Sequence, residues 1–294
     1  MRILVTGAAG QVGTELVLSG PKKGHEILGF TRKDLDITNE DVVLGTISDL
    51  TPDVVINPAA YTAVDQAETD QELAYIINRD GPANLAKACS KNNIPLIHIS
   101  TDYVYDGSKS GAYTENAPVQ PVNVYGASKE AGEAAIRDIL DQHIIMRTSW
   151  VFSSHGGNFV KSMLRLGNDR DELSIVADQR GGPTSASDIA GAAISIAKGV
   201  HGQPNLWGTY HFSGAPETSW YEFAQEIFNQ ASGLVAKAPT VRPIPTADYP
   251  TPARRPLNSV MNCEKIFNAF GIQQPAWKNS LNKVLQELEN GTIQ

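Results

Sequence analysis

The sequence has very little cysteine, and this scarcity excludes several classes of protein. Only Cys89 and Cys263 occur among the 294 residues, and neither belongs to a CxxC pair or to a Cys/His cluster with metal-ligand spacing. No HExxH motif is present, and the histidines are scattered at positions 25, 98, 143, 155, 201 and 211. We therefore predict no disulfide framework and no protein-ligated metal, and a reducing cytoplasm as the location.

Long apolar runs and an excess of positive charge are also lacking. The longest uncharged apolar stretch, around residues 189–197, is much shorter than the ~20 residues that span a bilayer. The chain opens with "MRILVTG", which is typical of a strand rather than of an export signal. A net charge of −8 would repel a nucleic acid backbone or an anionic membrane. We expect neither a nucleic acid nor a membrane as partner.

The first half of the chain alternates short β-branched runs with helical patterns. Strands are predicted at 2–7, 25–30, 53–57, 95–100 and 143–152, and helices at 11–20, 70–93 and 126–141. Parallel strands joined by crossover helices produce this order. The predicted fold class is α/β, with a Rossmann-type doubly wound parallel sheet.

The regularity weakens after Trp150. Helices are predicted at 158–166, 185–199, 219–232 and 277–289, strands at 173–178 and 208–214, and an irregular proline-rich segment at 238–256. We predict a dinucleotide-binding domain at 1–152 and about 172–214. A smaller, partly interleaved substrate domain would occupy about 153–171 and 215–294, closing a cleft over the carboxyl ends of the strands.

A glycine-rich loop, "TGAAGQVG", follows the first strand and opens the first helix. Gly7 would permit a tight turn, Gly10 the approach of a pyrophosphate to the backbone, and Gly13 close packing of helix on strand. Amides at the helix N-terminus would then bind the anion. An ordinary tight turn is the alternative interpretation, but the strand-loop-helix context favours a dinucleotide site.

The end of the second strand bears on which dinucleotide is bound. Arg32 stands where an NAD-selective site normally has an acidic residue, and an arginine can pair with a 2'-phosphate. This favours NADP. The alternatives are that Arg32 is a solvated loop residue and that Asp34 or Asp36 accepts the ribose hydroxyl.

Tyr125 and Lys129 lie four residues apart on a predicted helix, on the stripe that continues to Gly132 and Ile136. An ammonium about 4 Å from a phenol, at an effective dielectric of roughly 20, would lower the phenol pKa by roughly 3 units. Tyr125 could then act as a general acid near neutral pH. The alternative is a lysine stem that passes the edge of the core beside a packed ring.

The strand at 95–100 ends in "STDYVYDG", which places Thr101 and Asp102 at the carboxyl edge of the sheet. Thr101 could donate a hydrogen bond to the carbonyl oxygen that Tyr125 protonates. Its alternative role is to cap a helix or turn. The glycine loop, this hydroxyl and the Tyr125–Lys129 pair occur in the order that a hydride-transfer site requires.

Three of these motifs, "TGAAGQVG", "STDYVYDG" and "YGASK", resemble the extended short-chain dehydrogenases/reductases. More narrowly, "NPAAYTAVDQAE", "RTSWVF", "GGNFVKSMLRL", "DQRGGPTSASDIA" and "YPTPARRPLNS" are similar to the dTDP-4-dehydrorhamnose reductases. This similarity runs along nearly the whole chain. It implies reduction of the C4 keto group of dTDP-4-dehydro-L-rhamnose by NADPH, with NADH as an alternative donor, in the final step of dTDP-L-rhamnose biosynthesis.

The resemblance also implies roles for individual residues. Tyr125 would donate the proton, Lys129 would bind the nicotinamide ribose and lower the tyrosine pKa, and Thr101 would bind the carbonyl. The cofactor would contact the glycine loop with Gln11 and Val12, then Asp36 and Ile37 at the adenine, and Ala60, Tyr61 and Thr62 after the third strand. The sugar nucleotide would contact Thr101, Asp102, Trp150, Val64, Asn158 and Arg254.

Some members of this family hold magnesium between subunits through glutamates. Glu15 matches one such position, but Ser187 occupies another. The sequence therefore does not support a magnesium site, and a homodimer is an assembly that the resemblance allows without requiring it.

Two other functions fit the same motifs. One is a reductase or epimerase of another nucleotide sugar, since the same three residues serve both. The other is a non-catalytic NADP-binding regulatory subunit resembling that of methionine adenosyltransferase. The presence of Thr101, Tyr125 and Lys129 together favours an enzyme.

Overall fold

A computed structural model describes residues 1–200 and 204–292, so His201 and the end of the predicted 215–294 segment lie outside the described residues. The strands are β1 (Arg2–Val5), β2 (Glu26–Gly29), β3 (Val54–Asn57), β4 (Leu96–Thr101), β5 (His143–Thr148), β6 (Val151–Phe152), β7 (Glu172–Val176), β8 (Arg180–Gly181), β9 (Thr184–Ser185), β10 (Gly208–His211), β11 (Thr218–Ser219) and β12 (Thr240–Ile244). The helices are α1 (Gln11–Ser19), α2 (Glu40–Leu50), α3 (Gln71–Tyr75), α4 (Gly81–Asn92), α5 (Val124–Ile139), α6 (Phe159–Asp169), α7 (Ala186–Gly199), α8 (Trp220–Gln230), α9 (Glu264–Phe270) and α10 (Trp277–Thr292).

The centre of the molecule is a six-stranded sheet in the order β2-β1-β3-β4-β5-β10. Every neighbouring pair in it is parallel. The chain passes from β1 to β2 on one side and then returns to β3 on the other. This reversal creates a switch point at the carboxyl ends of β1 and β3, where open α/β sheets bind ligands. The predicted doubly wound Rossmann-type sheet is confirmed.

Helices cover both faces of the sheet, because its strands present apolar side chains on both faces. Ile3 and Val5 point into one hydrophobic cluster, which α1, α7 and α9 share. Leu4 points into a second cluster with α2, α4 and α5. Alternate residues of a strand face opposite sides, so one apolar run supplies both layers.

A third hydrophobic cluster lies outside the sheet and is built on aromatic side chains. Phe152, Phe223 and Trp277 bring together β6, α8 and α10, and α6 and β7 add Met163 and Leu173. β7 pairs in parallel with β12 here and does not join the central sheet.

This packing differs from the predicted domain boundaries at two places. The boundary near 172 groups β7 with the dinucleotide-binding unit, whereas β7 pairs with β12 and contacts α8. In the predicted substrate segment, α9 instead packs against the central sheet through Cys263 and Ile266.

Several elements differ from prediction. The predicted strand 143–152 is interrupted at Trp150, whose φ of +47° bends the chain between β5 and β6. The predicted helix 70–93 consists of α3, a π-helical turn at Ile76–Asp80, and α4. Helices α2 and α9 and strand β12 were not predicted. Within residues 1–200 and 204–292, no helix has the length and apolar character needed to cross a bilayer.

Candidate active site

A cleft of about 1500 Å³ lies at the switch point, over the carboxyl ends of β1, β3, β4 and β5. One part is lined by the glycine loop and the segments that follow β2 and β3. The other part is lined by residues of α6, β7 and α8 from the third cluster. The cleft therefore joins the sheet to the smaller region that packs beside it.

The glycine loop has the geometry of a dinucleotide cradle. Gly7 has a φ of +55°, and a Cβ there would come within 2.8 Å of the Ala59 main chain. A Cβ on Gly13 would lie 2.2 Å from the carbonyl oxygen of Gly7. Gly10 precedes α1 without a side-chain cap among the described residues, so the first amides of the helix face the cleft as donors. These features fit a bound pyrophosphate.

Most of the residues predicted to bind the cofactor line this cleft. They are Gly7, Gly10, Gln11, Val12, Gly13, Arg32, Asp36, Ile37, Ala60, Thr62, Tyr125 and Lys129. Arg32 extends into solvent with Nε 3.5 Å from Asp36 Oδ2.

Tyr61 is the exception on the cofactor side, since it is not among the described lining residues. Its main-chain N–H donates to Asn78 Oδ1 at 2.8 Å, and its hydroxyl donates to Asp70 Oδ2 at 3.3 Å. Asn78 belongs to the π-helical turn and also donates to Ser128 Oγ on α5 at 3.0 Å. Tyr61 therefore serves to anchor the loop that carries Ala60 and Thr62.

Helix α5 carries Tyr125 and Lys129 into the cleft and is packed unusually close to its neighbours. Asn123 begins the helix, with its side chain accepting the Gly126 N–H at 2.7 Å. A Cβ on Gly126 would be 2.1 Å from the Tyr103 carbonyl oxygen, so only glycine permits this approach. The spacing of Tyr125 and Lys129 on one face, as predicted, brings both to the site.

Lys129 is only 2% exposed, and its ammonium end is directed at β4. Nζ donates to the Ile99 carbonyl oxygen at 2.8 Å and lies 3.1 Å from His98 Nε2. Burial lowers the pKa of Lys129 to about 8, with the nearby Glu133 carboxylate opposing the shift. The interpretation of Lys129 as a stem reaching past the core edge into solvent is therefore wrong.

The expected lowering of the Tyr125 pKa is also wrong in this structure. Burial of the phenol raises its pKa, and hydrogen bonding with Thr101 only partly opposes the rise. The predicted lowering required the Lys129 charge to face the phenol, whereas Nζ is held by Ile99 and His98. Spacing placed the two residues on one face but did not determine where the long side chain points.

Thr101 and Asp102 end β4 as a buried pair. Thr101 Oγ1 donates to Asp102 Oδ1 at 3.0 Å and accepts the Tyr103 N–H at 3.2 Å, so it also caps a short turn. Burial raises the pKa of Asp102 to about 6, although hydrogen bonds from Ser259 and Thr101 oppose this. Asp102 is among the residues that line the cleft, and its buried Oδ2 has no partner among the described atoms.

On the other side of the cleft, the lining includes the predicted Val64, Trp150 and Asn158. The Asn158 amide is already engaged, because Nδ2 donates to Gln11 Oε1 at 3.0 Å and Oδ1 caps α6. Arg254 is exposed and is not among the described residues that line the cleft.

Arg255, the neighbour of Arg254, is the arginine that lines the cleft. It donates to Asp65 Oδ2 at 2.8 Å and to the Tyr103 hydroxyl at 3.3 Å. Arg254 remains a predicted contact of the sugar nucleotide, and Trp220, which was not predicted, also lines the cleft. Trp220 begins α8 directly after a capping Ser219, which was the available signal for a side chain at a helix entrance.

A buried ion pair forms the floor below these residues. Glu133 of α5 accepts from Arg147 Nη2 of β5 at 2.5 Å and from Ser100 Oγ of β4 at 2.5 Å. Burial alone would raise the Glu133 pKa, but the Arg147 charge together with hydrogen bonds from Arg147 and Ser100 holds it below its ordinary value. This pair ties α5 to the two strands that carry the site.

The position considered for magnesium has other partners. Glu15 Oε1 lies 3.6 Å from His155 Nε2, and Ser187 Oγ contacts Ser185 Oγ at 3.0 Å. Across residues 1–200 and 204–292, no group of three or more His, Cys, Asp or Glu side chains is placed to hold a metal ion.

Comparisons with known proteins agree with this geometry. The family model described as the RmlD substrate binding domain matches residues 1–290. The chain is 47% identical to the dTDP-4-dehydrorhamnose reductase of Aggregatibacter actinomycetemcomitans, covering 96% of this chain and 98% of that protein.

Two solved structures have the same fold over nearly the full length. A dTDP-4-dehydrorhamnose reductase from Clostridium acetobutylicum superposes with a TM-score of 0.91 at 39% identity, covering 98% of this chain and 100% of that one. Another, from Bacillus anthracis in complex with NADP, has a TM-score of 0.90 at 38% identity, covering 97% and 99%. With its glycine cradle and its Thr101, Tyr125 and Lys129 in one cleft, this chain belongs to the dTDP-4-dehydrorhamnose reductase family.

Proposed function

We propose that this protein reduces the C4 keto group of dTDP-4-dehydro-L-rhamnose to give dTDP-L-rhamnose, the final step in the synthesis of that sugar nucleotide. The observation that supports this most is the meeting of the glycine loop with Thr101, Tyr125 and Lys129 in one cleft. A cradle alone would only bind a dinucleotide. A hydroxyl, a phenol and a lysine beside it supply what carbonyl reduction needs.

NADPH is the proposed cofactor, with NADH as a second donor, and it supplies the hydride when bound. The Gly7–Gly13 loop would hold its pyrophosphate, and Arg32 would pair with its 2'-phosphate. The Bacillus anthracis relative, which was solved with NADP, supports this choice.

The residues of this chain have distinct tasks in the reaction. Thr101 and Tyr125 hold the substrate oxygen between two hydroxyls, and Tyr125 gives up its proton as negative charge develops there. A phenol with a raised pKa stays protonated until that charge forms, which suits an acid. Lys129 keeps the cofactor side of the cleft positively polarised and binds the nicotinamide ribose.

The remaining residues would bind the nucleotide sugar. Trp150, Trp220 and Val64 offer apolar surface, Asp102 offers a carboxyl oxygen, and Arg255 offers a cation that would pair with the diphosphate. The substrate unit would consist of the third hydrophobic cluster and its strands, β7 and β12, rather than the exact predicted ranges. We place the activity in the cytoplasm, and a homodimer is a compatible assembly.

The test is turnover of purified protein with dTDP-4-dehydrorhamnose, followed by nicotinamide absorbance and by identification of the sugar product. Tyr125→Phe should lower kcat at least ~100-fold with NADPH affinity little changed, because only the positioned acid is lost. Tyr75→Phe, on α3 and not among the described residues of the cleft lining, is the matched control and should keep full activity.

Three results would overturn the proposal. Near-native kcat in Tyr125→Phe would remove the acid from the mechanism. Tight NADPH binding without turnover would indicate a regulatory subunit, and turnover only with a different nucleotide sugar would indicate another reductase or epimerase.

A further inference from the structure

The loop that leads into α6, residues 153–158, is hydrogen-bonded to the first residue of α1. Gln11 Oε1 accepts from Asn158 Nδ2 at 3.0 Å and from Ser153 Oγ at 3.1 Å. Gly156 lies on the same side chain, since a Cβ there would be 3.3 Å from Gln11 Cγ. Gln11 is part of the glycine cradle, whereas the loop continues into α6 on the other side of the cleft. One side chain therefore joins the two parts of the site.

The orientation of both side-chain amides follows from one main-chain group. The Lys161 N–H, which can only donate, donates to Asn158 Oδ1 at 3.2 Å. The group of Asn158 that faces Gln11 is therefore its NH₂ group. Gln11 must accept through Oε1, which leaves its own NH₂ group on the other branch of the amide. That Nε2 has no hydrogen-bond partner among the described atoms.

An unpaired amide donor at this position suits a dinucleotide. Gln11 lines the cleft and directly follows the uncapped start of α1. The oxygens of the pyrophosphate proposed for this cradle accept hydrogen bonds from such donors. A bound cofactor would thus engage Nε2 while Oε1 continues to hold the loop.

On the other side, Asn158 determines where α6 begins, because its Oδ1 caps the helix. Phe159, the first residue of α6, packs against Trp220 with ring centroids 4.7 Å apart. Trp220 in turn stacks on Trp150, and all three rings line the cleft. The contact at Gln11 is therefore continuous with the aromatic surface proposed to bind the sugar nucleotide.

Resting on the proposed function, we propose that Gln11 is a positioning residue that couples the binding of NADPH to the binding of the sugar nucleotide. Its Nε2 donates to the cofactor pyrophosphate and its Oε1 holds Asn158, so the bound cofactor fixes the start of α6 for the second ligand. Each ligand then tightens the binding of the other by the same factor, because linkage is reciprocal. We expect a factor of roughly 3 to 10, the range that one neutral hydrogen bond supplies.

Two further contacts hold the loop and involve side chains outside the described cleft lining. Ser154 Oγ donates to Glu287 Oε2 on α10 at 2.8 Å, and His155 Nε2 lies 3.6 Å from Glu15 Oε1 on α1. These contacts do not depend on Gln11. A substitution of Gln11 should therefore free the start of α6 without unfolding the loop.

The first experiment measures the affinity for dTDP-L-rhamnose by calorimetry, with and without saturating NADPH. This pair cannot react, because both compounds are already reduced. In the wild type, NADPH should lower the Kd of the sugar nucleotide roughly 3- to 10-fold. In Gln11→Leu, NADPH should no longer change this Kd, whereas a variant that only damaged the fold would weaken both ligands and keep their ratio. Equal affinity with and without NADPH in the wild type would overturn the inference.

Asn158→Ser breaks the same link from its other end. Serine still caps α6 but is too short to reach Gln11. This variant should lose the cooperativity while binding NADPH alone as the wild type does, and adding Gln11→Leu should cause no further loss. Asn168→Ser, the same substitution at an exposed position of α6, is the matched control and should keep the cooperativity. Cooperativity retained in both Gln11→Leu and Asn158→Ser would contradict the role of Gln11.

The second experiment needs only the cofactor. In the wild type, NADPH should slow hydrogen exchange of the main-chain amides in residues 153–162. In Gln11→Leu, at an NADPH concentration that saturates the variant, this slowing should be absent, and equal slowing in both proteins would overturn the inference. If the wild type binds NADPH but not dTDP-L-rhamnose, the proposed function fails, while this comparison still decides the role of Gln11.

Discussion

The indole rings of Trp150 and Trp220 lie face to face, with centroids 3.6 Å apart and an angle of 7° between their planes. Trp150 reaches this position through its left-handed backbone at the end of β5, and Trp220 is the first residue of α8. Gly181 lies against the Trp150 ring, where a Cβ would come within 2.5 Å. The stack therefore connects the central sheet to the third cluster at the wall of the cleft.

Replacing one ring of this stack should weaken substrate binding. Trp220→Leu should raise KM for the sugar nucleotide about 10-fold, because losing an aromatic pair and its buried area costs about 1–2 kcal/mol. Steady-state kinetics with each substrate varied in turn would measure this, and the KM for NADPH should stay unchanged. Trp207→Leu is the matched control, since Trp207 packs on the sheet cluster instead. Equal effects of both variants would contradict a role for the stack.

Arg32 should set the cofactor preference. Its side chain is 69% exposed and lines the cleft, and its Nε lies 3.5 Å from Asp36 Oδ2. Arg32→Gln should raise KM for NADPH about 10- to 100-fold, since a charge-assisted hydrogen bond is worth about 1.5–3 kcal/mol. The KM for NADH should change less than about 3-fold. Lys33→Gln removes the neighbouring exposed cation as a control, and parallel losses for both cofactors would rule out recognition of the 2'-phosphate.

Two glycines in helices provide a matched pair of substitutions. Gly13→Ala should lower the free energy of unfolding by about 1–3 kcal/mol and weaken NADPH binding, because its methyl would meet the Gly7 carbonyl oxygen at 2.2 Å. Gly45→Ala lies within α2, where a Cβ meets nothing within 4 Å among the described atoms, and should stabilise by up to about 1 kcal/mol. Denaturant unfolding and cofactor titration would measure both, and a neutral Gly13→Ala would refute the close packing.

Asp102 should make stability depend on pH. Below about pH 4 its carboxyl is protonated in both the folded and the unfolded protein. Between its ordinary pKa of 3.8 and its folded pKa of about 6, only the folded state keeps the proton, so stability falls as the pH rises. Above pH 6 the loss reaches about 3 kcal/mol, from a shift of about 2 units.

Asp102→Asn removes this titration. Urea unfolding should find the variant more stable than the wild type at pH 8, with the difference shrinking towards zero at pH 4. Asp138→Asn, an exposed change of the same charge on α5, controls for net charge. A difference that is equal at both pH values would show that burial does not hold the proton on Asp102.

The sheet could be predicted because each of its first strands is an apolar, β-branched run between turn residues. Helix α2 was not predicted, because "EDVVLGTISDL" mixes β-branched residues and a glycine that disfavour a helix. The Asn39 cap and the packing of Val43 and Ile47 in the second cluster stabilise it nevertheless. Strand β12 was not predicted because it contains Pro243, and proline is uncommon within strands. Proline is tolerated there because β12 pairs with β7 alone and its other edge needs no ladder donor.

The candidate site was also predictable from the sequence only in part. Neighbouring residues were enough to predict Gly7 in a left-handed turn, Tyr125 on a helical stripe and Thr101 at a strand end. The direction of the Lys129 side chain and the placement of Arg255 at the cleft depend on partners far away in sequence, His98 and Asp65. No spacing rule contains that information.

Because of the π-helical turn at Ile76–Asp80, the geometry of the site depends on the number of residues in this helix. Asn78 bonds at once to the Tyr61 main chain and to Ser128, and it can do so only at its present angle around the helix axis. Removing one residue to restore regular α-helix would swing this amide by about 100° and release both partners. A single-residue deletion is therefore a harsher perturbation here than a change of side chain, and insertions or deletions in this helix are constrained even where its surface sequence is free to vary.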